Sequence, residues 1–249
     1  MVNHQDLNNR LGQGEAYKKA RPFHATLLVK TQTGLKDLFK LISEANVNYF
    51  HRVPRVPRSL LNKYRDHLLV GSACSEGELF TTMMQKGYEE TKELARYYDY
   101  IEIMPKAAYL PLLHDGNLQS ERELEDIISN LYHLGKELNI PVVATGNVHY
   151  LDPKDAIYRE VIQRSLKINQ TRDLVLPQVH FRTTDEMLDD FAFLGHDGAQ
   201  EVVIDNSQAI AESIESIQVI KDDLFSPNIE GAEEEITDLT YCLLYTSPS

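Results

Sequence analysis

Cysteine is scarce in this sequence. Among 249 residues there are two, Cys74 and Cys242, far apart and neither in a Cys-x-x-Cys pair, which argues against a disulfide framework and agrees with a reducing compartment. Long apolar runs are lacking too. Nothing approaches the roughly eighteen uninterrupted apolar residues of a membrane span, and the opening MVNHQDLNNR has neither a basic region followed by an apolar stretch nor a cleavage site. No membrane association is expected, and a cytoplasmic location is. Positive charge is also short: 25 Lys and Arg against 38 Asp and Glu give a net charge of −13. Such a chain repels nucleic acid unless its basic residues gather on one face, so DNA binding by the chain alone is disfavoured. What is plentiful is apolar content, 42%, enough for the core of one large domain or two smaller ones.

After a polar start, HATLLVK reads as a buried strand and GLKDLFKLISEA, with Leu35, Leu38, Phe39, Leu41 and Ile42 at helical spacing, as the helix behind it. Pro54 and Pro57 delay the next helix to about Ser59, which is placed to cap it. LLVGSACSEGELF repeats the unit: a short apolar run from Leu68 to Val70, then small residues and Cys74, then a helix through about Tyr97. DYIEIMP is a further strand, Ser120 to Leu138 a long amphipathic helix, and PVVATG the strand after it. Strands alternating with helices predict parallel strands joined by crossover helices, in an open α/β sheet or a barrel. Sites in such folds collect at the C-terminal ends of strands.

The stretch PVVATGNVHYLDP ends an apolar run with Asn-Val-His. A strand places residues two apart on one face, so Asn147 and His149 are expected to project together, a spacing suited to a metal or phosphate site. Cys74 also falls where a strand ends, whereas His24 lies near a strand start. Arg52, Arg55 and Arg58 recur every third residue around two prolines. In an extended or polyproline conformation they align three guanidiniums along one edge, suited to phosphate or an acidic neighbouring domain. A solvated turn is the plain alternative. Glu76 and Glu78 are candidate helix-start or supporting carboxylates. Beyond Leu151 the chain turns mostly helical: Asp152-Pro153 starts one helix, Thr183 with Glu186 another, and QEVVIDNSQAIAESIESI follows. KDDLFSPNIEGAEEEITDL reads as an acidic connector.

Taken in order, RPFHATLLVK, QTGLKDLF, YFHRVPRVPRSLL, LLVGSACSEGELF, PVVATGNVHYLDP, VHFRTTDEMLDDFAFLG and PNIEGAEEE closely resemble the PolC-type α subunit of bacterial DNA polymerase III. The resemblance runs from about Asn3 to Tyr241. In that family a polymerase-and-histidinol-phosphatase (PHP) domain, a distorted α/β barrel, is interrupted by a proofreading exonuclease. It implies a fragment: residues 1–20 as the tail of the exonuclease insertion, 21–176 as the second part of the PHP domain, and 177–241 as the start of a mainly helical polymerase core. The last octet, CLLYTSPS (242–249), does not resemble the family and reads as translated sequencing adapter.

The resemblance also puts His24, Cys74, Asn147 and His149 at PHP metal positions, for zinc or a manganese-class ion. Imidazole and thiolate suit such ions, and the Asn147 amide is a weak neutral ligand where many PHP proteins have aspartate. The family's His-x-His motif, its Thr-Asp-His motif and a metal-binding glutamate are not in this sequence, and neither are the exonuclease acids or the paired palm aspartates. The implied parent is a DNA-directed DNA polymerase with 3′–5′ exonuclease, using magnesium, DNA and dNTPs and meeting a sliding clamp. The fragment itself is expected to be inactive. Two other readings are a stand-alone PHP-superfamily metal-dependent phosphoesterase and a metal-free structural scaffold.

Overall fold

A computed structural model describes residues 20–166, 175–220, 222 and 229–246. Residues up to Ile217 form one unit and those from Gln218 a second. The expected exonuclease tail before Ala20 lies almost wholly outside the described residues, as do 167–174 near the expected boundary at 176.

The first unit is organised on four short strands. β1 (Thr26–Val29) pairs antiparallel with β4 (Leu68–Gly71), with Thr26 opposite Gly71 and Val29 opposite Leu68. Between them in sequence lie α1 (Gln32–Val47), the hairpin β2 (Phe50–His51) and β3 (Val53–Pro54), and α2 (Arg58–Tyr64). β4 touches the start of β5 (Ile101–Ile103) through a parallel bridge between Gly71 and Tyr100, and β5 pairs in parallel with β6 (Val142–Ala144). The strand layer therefore runs β1-β4-β5-β6. The parallel arrangement read from the sequence holds for β4 to β6 and fails for β1. A single crossover helix would return the chain to the same end of the sheet. Here the hairpin and α2 add a further reversal after α1, so β4 enters from the opposite end. Among the described residues the strands do not close into a barrel.

The helices follow the local signals closely. Thr31 caps α1 by accepting from Gly34 N–H at 3.2 Å. Gly34 is obligatory for space, since a Cβ there would stand 2.3 Å from the His67 carbonyl oxygen. α2 is capped at Pro57 rather than Ser59, because the Pro57 carbonyl already accepts from both Leu60 and Leu61 at 3.0 Å and proline presets the backbone angle. The single helix expected through Tyr97 is two, α3 (Glu78–Lys86) and α4 (Tyr88–Ala95), broken at Gly87, whose φ of 86° lies in the left-handed region. After β5 a 3₁₀ turn leads into α5 (Leu110–His114).

α6 (Glu121–Leu138) starts at Ser120, which accepts from Glu123 N–H at 3.2 Å, and ends at Asn139 in the left-handed conformation. It buries Leu124, Ile128, Leu131 and Leu134 almost completely, each worth about 1.5–3 kcal/mol relative to exposure. α7 (Ala156–Ser165) follows a capping box of Asp152 and Asp155, and α8 (Thr184–Asp190) one of Thr183 and Glu186. α9 (His196–Gln200) then runs through a π-helical turn, Glu201–Asp205, into α10 (Asn206–Glu212).

These last elements share the core of the strand layer. Val179, Phe191 and Val202 are fully buried. Glu201 accepts from the Tyr132 hydroxyl and from Lys136 Nζ on α6, both at 2.8 Å. Asn206 Nδ2 donates to the Val142 carbonyl at 2.8 Å, engaging the backbone of strand β6. Packing is thus continuous across residue 176. In the second unit the acidic connector is helical over its described end: α11 (Ala232–Thr246) carries Glu233, Glu234 and Glu235 in its first turn, where the helix dipole favours them. No described helix is long and apolar enough to cross a membrane.

Candidate metal centre

Antiparallel pairing of β1 with β4 sets the start of one strand beside the end of the other. His24, two residues before β1, thereby reaches the loop after β4 although fifty residues separate it from Cys74. Its backbone N–H donates to the Glu76 carbonyl at 3.1 Å, and it bridges to Gly77. Its Nδ1 lies 3.3 Å from Cys74 Sγ, and its Nε2 lies 3.1 Å from a Glu76 carboxylate oxygen. The imidazole is therefore held between a thiol and a carboxylate. The Glu76 contact is well exposed, so it orients the ring more than it stabilises the fold.

Because β4, β5 and β6 run the same way, the loops after them open at that same end. The result is a cleft of about 610 Å³ lined by His24, Ala73, Cys74, Glu102, Thr145 and Asn147, among others. Burial pushes the Cys74 thiol up. A backbone hydrogen bond at Glu76 opposes that, while the Glu76 and Glu102 charges add to it. Cys74 thus faces His24 as a thiol, and a metal would have to displace its proton.

His149 is not in this cleft. β6 ends at Ala144, and Asn147 takes the left-handed conformation, with φ 46°, which asparagine tolerates better than most residues. That residue breaks the two-residue alternation from which a shared face was read. The segment beyond it pairs with 179–181 instead: His149 N–H donates to the Val179 carbonyl at 2.9 Å, and Tyr150 bridges to His180. His149 lines a separate pocket with Tyr158 and Arg159. Desolvation, with a smaller contribution from the Arg159 charge, holds its pKa below the ordinary histidine value.

The three arginines do not form one cationic edge. Arg52 is exposed at the hairpin turn with φ 63°. Arg55 is buried and donates to the Ala20 carbonyl at 2.8 Å. Arg58 opens α2 and turns inward to pair with Glu78, whose carboxylate also accepts from the buried Tyr98 hydroxyl at 3.0 Å. Arg58 and Arg65 both lie over the Tyr97 ring, at 4.3 and 4.6 Å. The hairpin reverses the chain where a polyproline run would have kept it straight. Of the two glutamates near Cys74, Glu76 is exposed against the His24 ring and Glu78 lies in the interior.

Glu102 is the cleft residue that sequence reasoning missed. Ile101 and Ile103 are fully buried, so alternation along β5 sends Glu102 to the opposite face. A single carboxylate between two core isoleucines was the available signal. Among the described residues no three His, Cys, Asp or Glu side chains are placed to hold a metal together. The pair that is placed does fit one ion: zinc bonds of about 2.0 Å to nitrogen and 2.3 Å to sulfur, arranged tetrahedrally, set the two donors about 3.5 Å apart.

Residues 3–110 match the PHP domain family. Across almost its whole length the chain is also similar to proteins described as DNA polymerase III PolC-type. It is 49% identical over 243 residues to the one from Listeria monocytogenes. It is 52% identical over 239 residues to that of Bacillus subtilis, and 54% identical over 241 residues to that of Latilactobacillus sakei. The alignments cover 97%, 96% and 96% of this chain. In sequence, the chain matches a segment of PolC-type DNA polymerase III. It spans about 17% of the length of these PolC-type relatives, and the cleft with its His24–Cys74 pair lies within the part matching the PHP family, apart from its Thr145 and Asn147 wall.

Proposed function

We propose that this chain works as part of a DNA-directed DNA polymerase, as a scaffold segment tied together by a divalent metal ion. The observation that carries the metal reading is the His24–Cys74 pair at the mouth of a cleft. The similarity to PolC-type proteins over nearly the whole chain supports the polymerase reading. In the longer protein, dNTP addition with magnesium ions, proofreading exonuclease action and contact with DNA and a sliding clamp belong to other segments. The four-strand layer is then one part of the distorted PHP barrel, and residues from 177 onward lead into the polymerase core.

His24 and Cys74 would hold the ion, of zinc or manganese class, with Asn147 as a weak amide donor on the cleft wall. When bound, the ion supplies a cross-link of fixed geometry between segments fifty residues apart. His149 joins this set only through a rearrangement of residues 145–149. Of the arginines, exposed Arg52 is the one suited to meet phosphate or a neighbouring domain.

A metal-free scaffold is the second reading, favoured by the absence of a third His, Cys, Asp or Glu donor among the described residues. A stand-alone phosphoesterase has less support, since holding two or three cations close together for phosphate chemistry calls for carboxylate charge, which the Asn147 amide does not supply. Two measurements test these readings. Zinc and manganese content of the purified chain separates the metal-bound scaffold from the metal-free one. Primer extension should be absent from the 249-residue chain and present in the complete polypeptide encoded by its reading frame; extension by neither would overturn the polymerase reading.

A further inference from the structure

We propose that Glu102 is the positioning residue of this cleft, its carboxylate fixing the backbone of the loop that aims Cys74 at His24. The inference rests on the metal reading above and adds to it a residue outside the metal-ligand set.

Glu102 is bound twice to the two residues immediately before Cys74. Its Oε1 accepts from Ala73 N–H at 3.2 Å, and its own N–H donates to Ser72 Oγ at 2.8 Å. The anchoring matters because Ala73 has φ 59°, a left-handed conformation that is unfavourable for a residue with a Cβ. Such a residue stays in place only when its surroundings hold it. The other end of the loop is fixed separately: Gly77 N–H donates to the Cys74 carbonyl at 2.8 Å, and His24 N–H donates to the Glu76 carbonyl at 3.1 Å. One short loop therefore sets both donors, with Glu102 at its start and the His24 main chain at its end.

Packing gives the carboxylate little freedom to move. A Cβ on Gly71 would fall 2.3 Å from the Tyr100 ring and 2.6 Å from Glu102 Oε1. The Tyr100 hydroxyl stands against the same side of Gly71, 2.5 Å from where that Cβ would be. A residue needed only to fill this space would be apolar, because burying part of a carboxylate is unfavourable unless its hydrogen bonds are used.

The test uses the 249-residue chain as wild type, Glu102→Ala and Glu102→Gln, with His24→Ala as a control for loss of a ligand. Glutamine keeps a side-chain oxygen able to accept from Ala73 N–H and loses only the charge. Zinc affinity is measured by competition, cobalt(II) substitution reports the thiolate-to-metal absorption band, and amide hydrogen exchange at Ala73 reports the loop without any metal. Glu102→Ala should weaken zinc binding by about tenfold to a hundredfold, diminish the cobalt band and speed exchange at Ala73, while Glu102→Gln stays close to wild type. If Glu102→Ala binds zinc and gives the cobalt band as wild type does, the positioning role is wrong and the metal reading stands. Equal losses in Glu102→Ala and Glu102→Gln would overturn it as well, since charge and not the hydrogen bond would then matter. If the wild-type chain binds neither ion, the metal reading fails, and unchanged exchange at Ala73 in Glu102→Ala would sink the loop-anchoring role independently.

Discussion

The Arg58 guanidinium and the Glu78 carboxylate meet in the interior of the first unit, joining the start of α2 to the start of α3. Both side chains are largely withdrawn from solvent, with exposures of 14% and 3%. Glu78 gains a second donor from Tyr98, and Arg58 gains the face of Tyr97.

Breaking that pair should be costly. Removing one partner strands a buried charge, so Arg58→Ala or Glu78→Ala should each lower stability by about 3–5 kcal/mol, whereas the double replacement Arg58→Met with Glu78→Leu should lose much less. Urea unfolding at neutral pH reads this. Single variants within about 0.5 kcal/mol of wild type would mean that the pair is solvated.

The cleft should respond to a change at its amide donor. Asn147→Asp puts a carboxylate on the wall of the cleft that His24 and Cys74 also line, and zinc or manganese affinity should rise, while Cys74→Ser should reduce it. Competition titration with a chromophoric chelator measures both. Unchanged affinity in the two variants would remove these residues from the site.

His149 predicts a pH dependence. Its folded-state pKa is lowered, by desolvation first and then by Arg159. The folded chain therefore takes up this proton less readily than the unfolded chain, so stability is fully present above the unfolded value of about 6.5 and falls as pH drops through it. Thermal unfolding followed between pH 7.5 and 5 should show a shallower decline in His149→Gln than in wild type. Parallel curves would exclude the effect.

The helical stretch after residue 177 should behave as part of the first unit. Phe191 is fully buried in the common core, and Phe191→Ala should cost about 3–5 kcal/mol. Asn206→Ala, which removes the bond to the Val142 carbonyl, should cost about 1–3 kcal/mol because it leaves a β6 acceptor unpaired. In both variants unfolding should remain a single transition by near- and far-ultraviolet circular dichroism. Two separated transitions would show that the stretch folds apart from the strand layer.

Local chemistry carried much of the architecture. Apolar runs placed β1, β4, β5 and β6, and the amphipathic pattern from Ser120 to Leu138 placed α6. Ser120 and the Thr183–Glu186 box placed helix starts, because each is settled by residues within one turn of chain. Cys74 and Asn147 were legible as candidates because each carries a donor atom where a strand ends, whereas His24, near a strand start, was singled out by the resemblance to the PolC-type family.

Tertiary structure decided the rest. Strand direction depends on how many times the chain reverses between two strands, which no local signal counts, and it was the antiparallel return of β4 that brought Cys74 to His24. One left-handed residue, Asn147, parted His149 from the cleft, since alternation holds only while the backbone stays extended. Arg55 and Arg58 turned inward once the hairpin bent, and Glu102 entered the cleft because β5 had a buried face and its other face looked onto the loop before Cys74. The sequence by itself determined which segments become strands and helices and which side chains carry donor atoms. The tertiary fold alone determined which of those donors meet, because meeting depends on contacts between segments fifty or more residues apart.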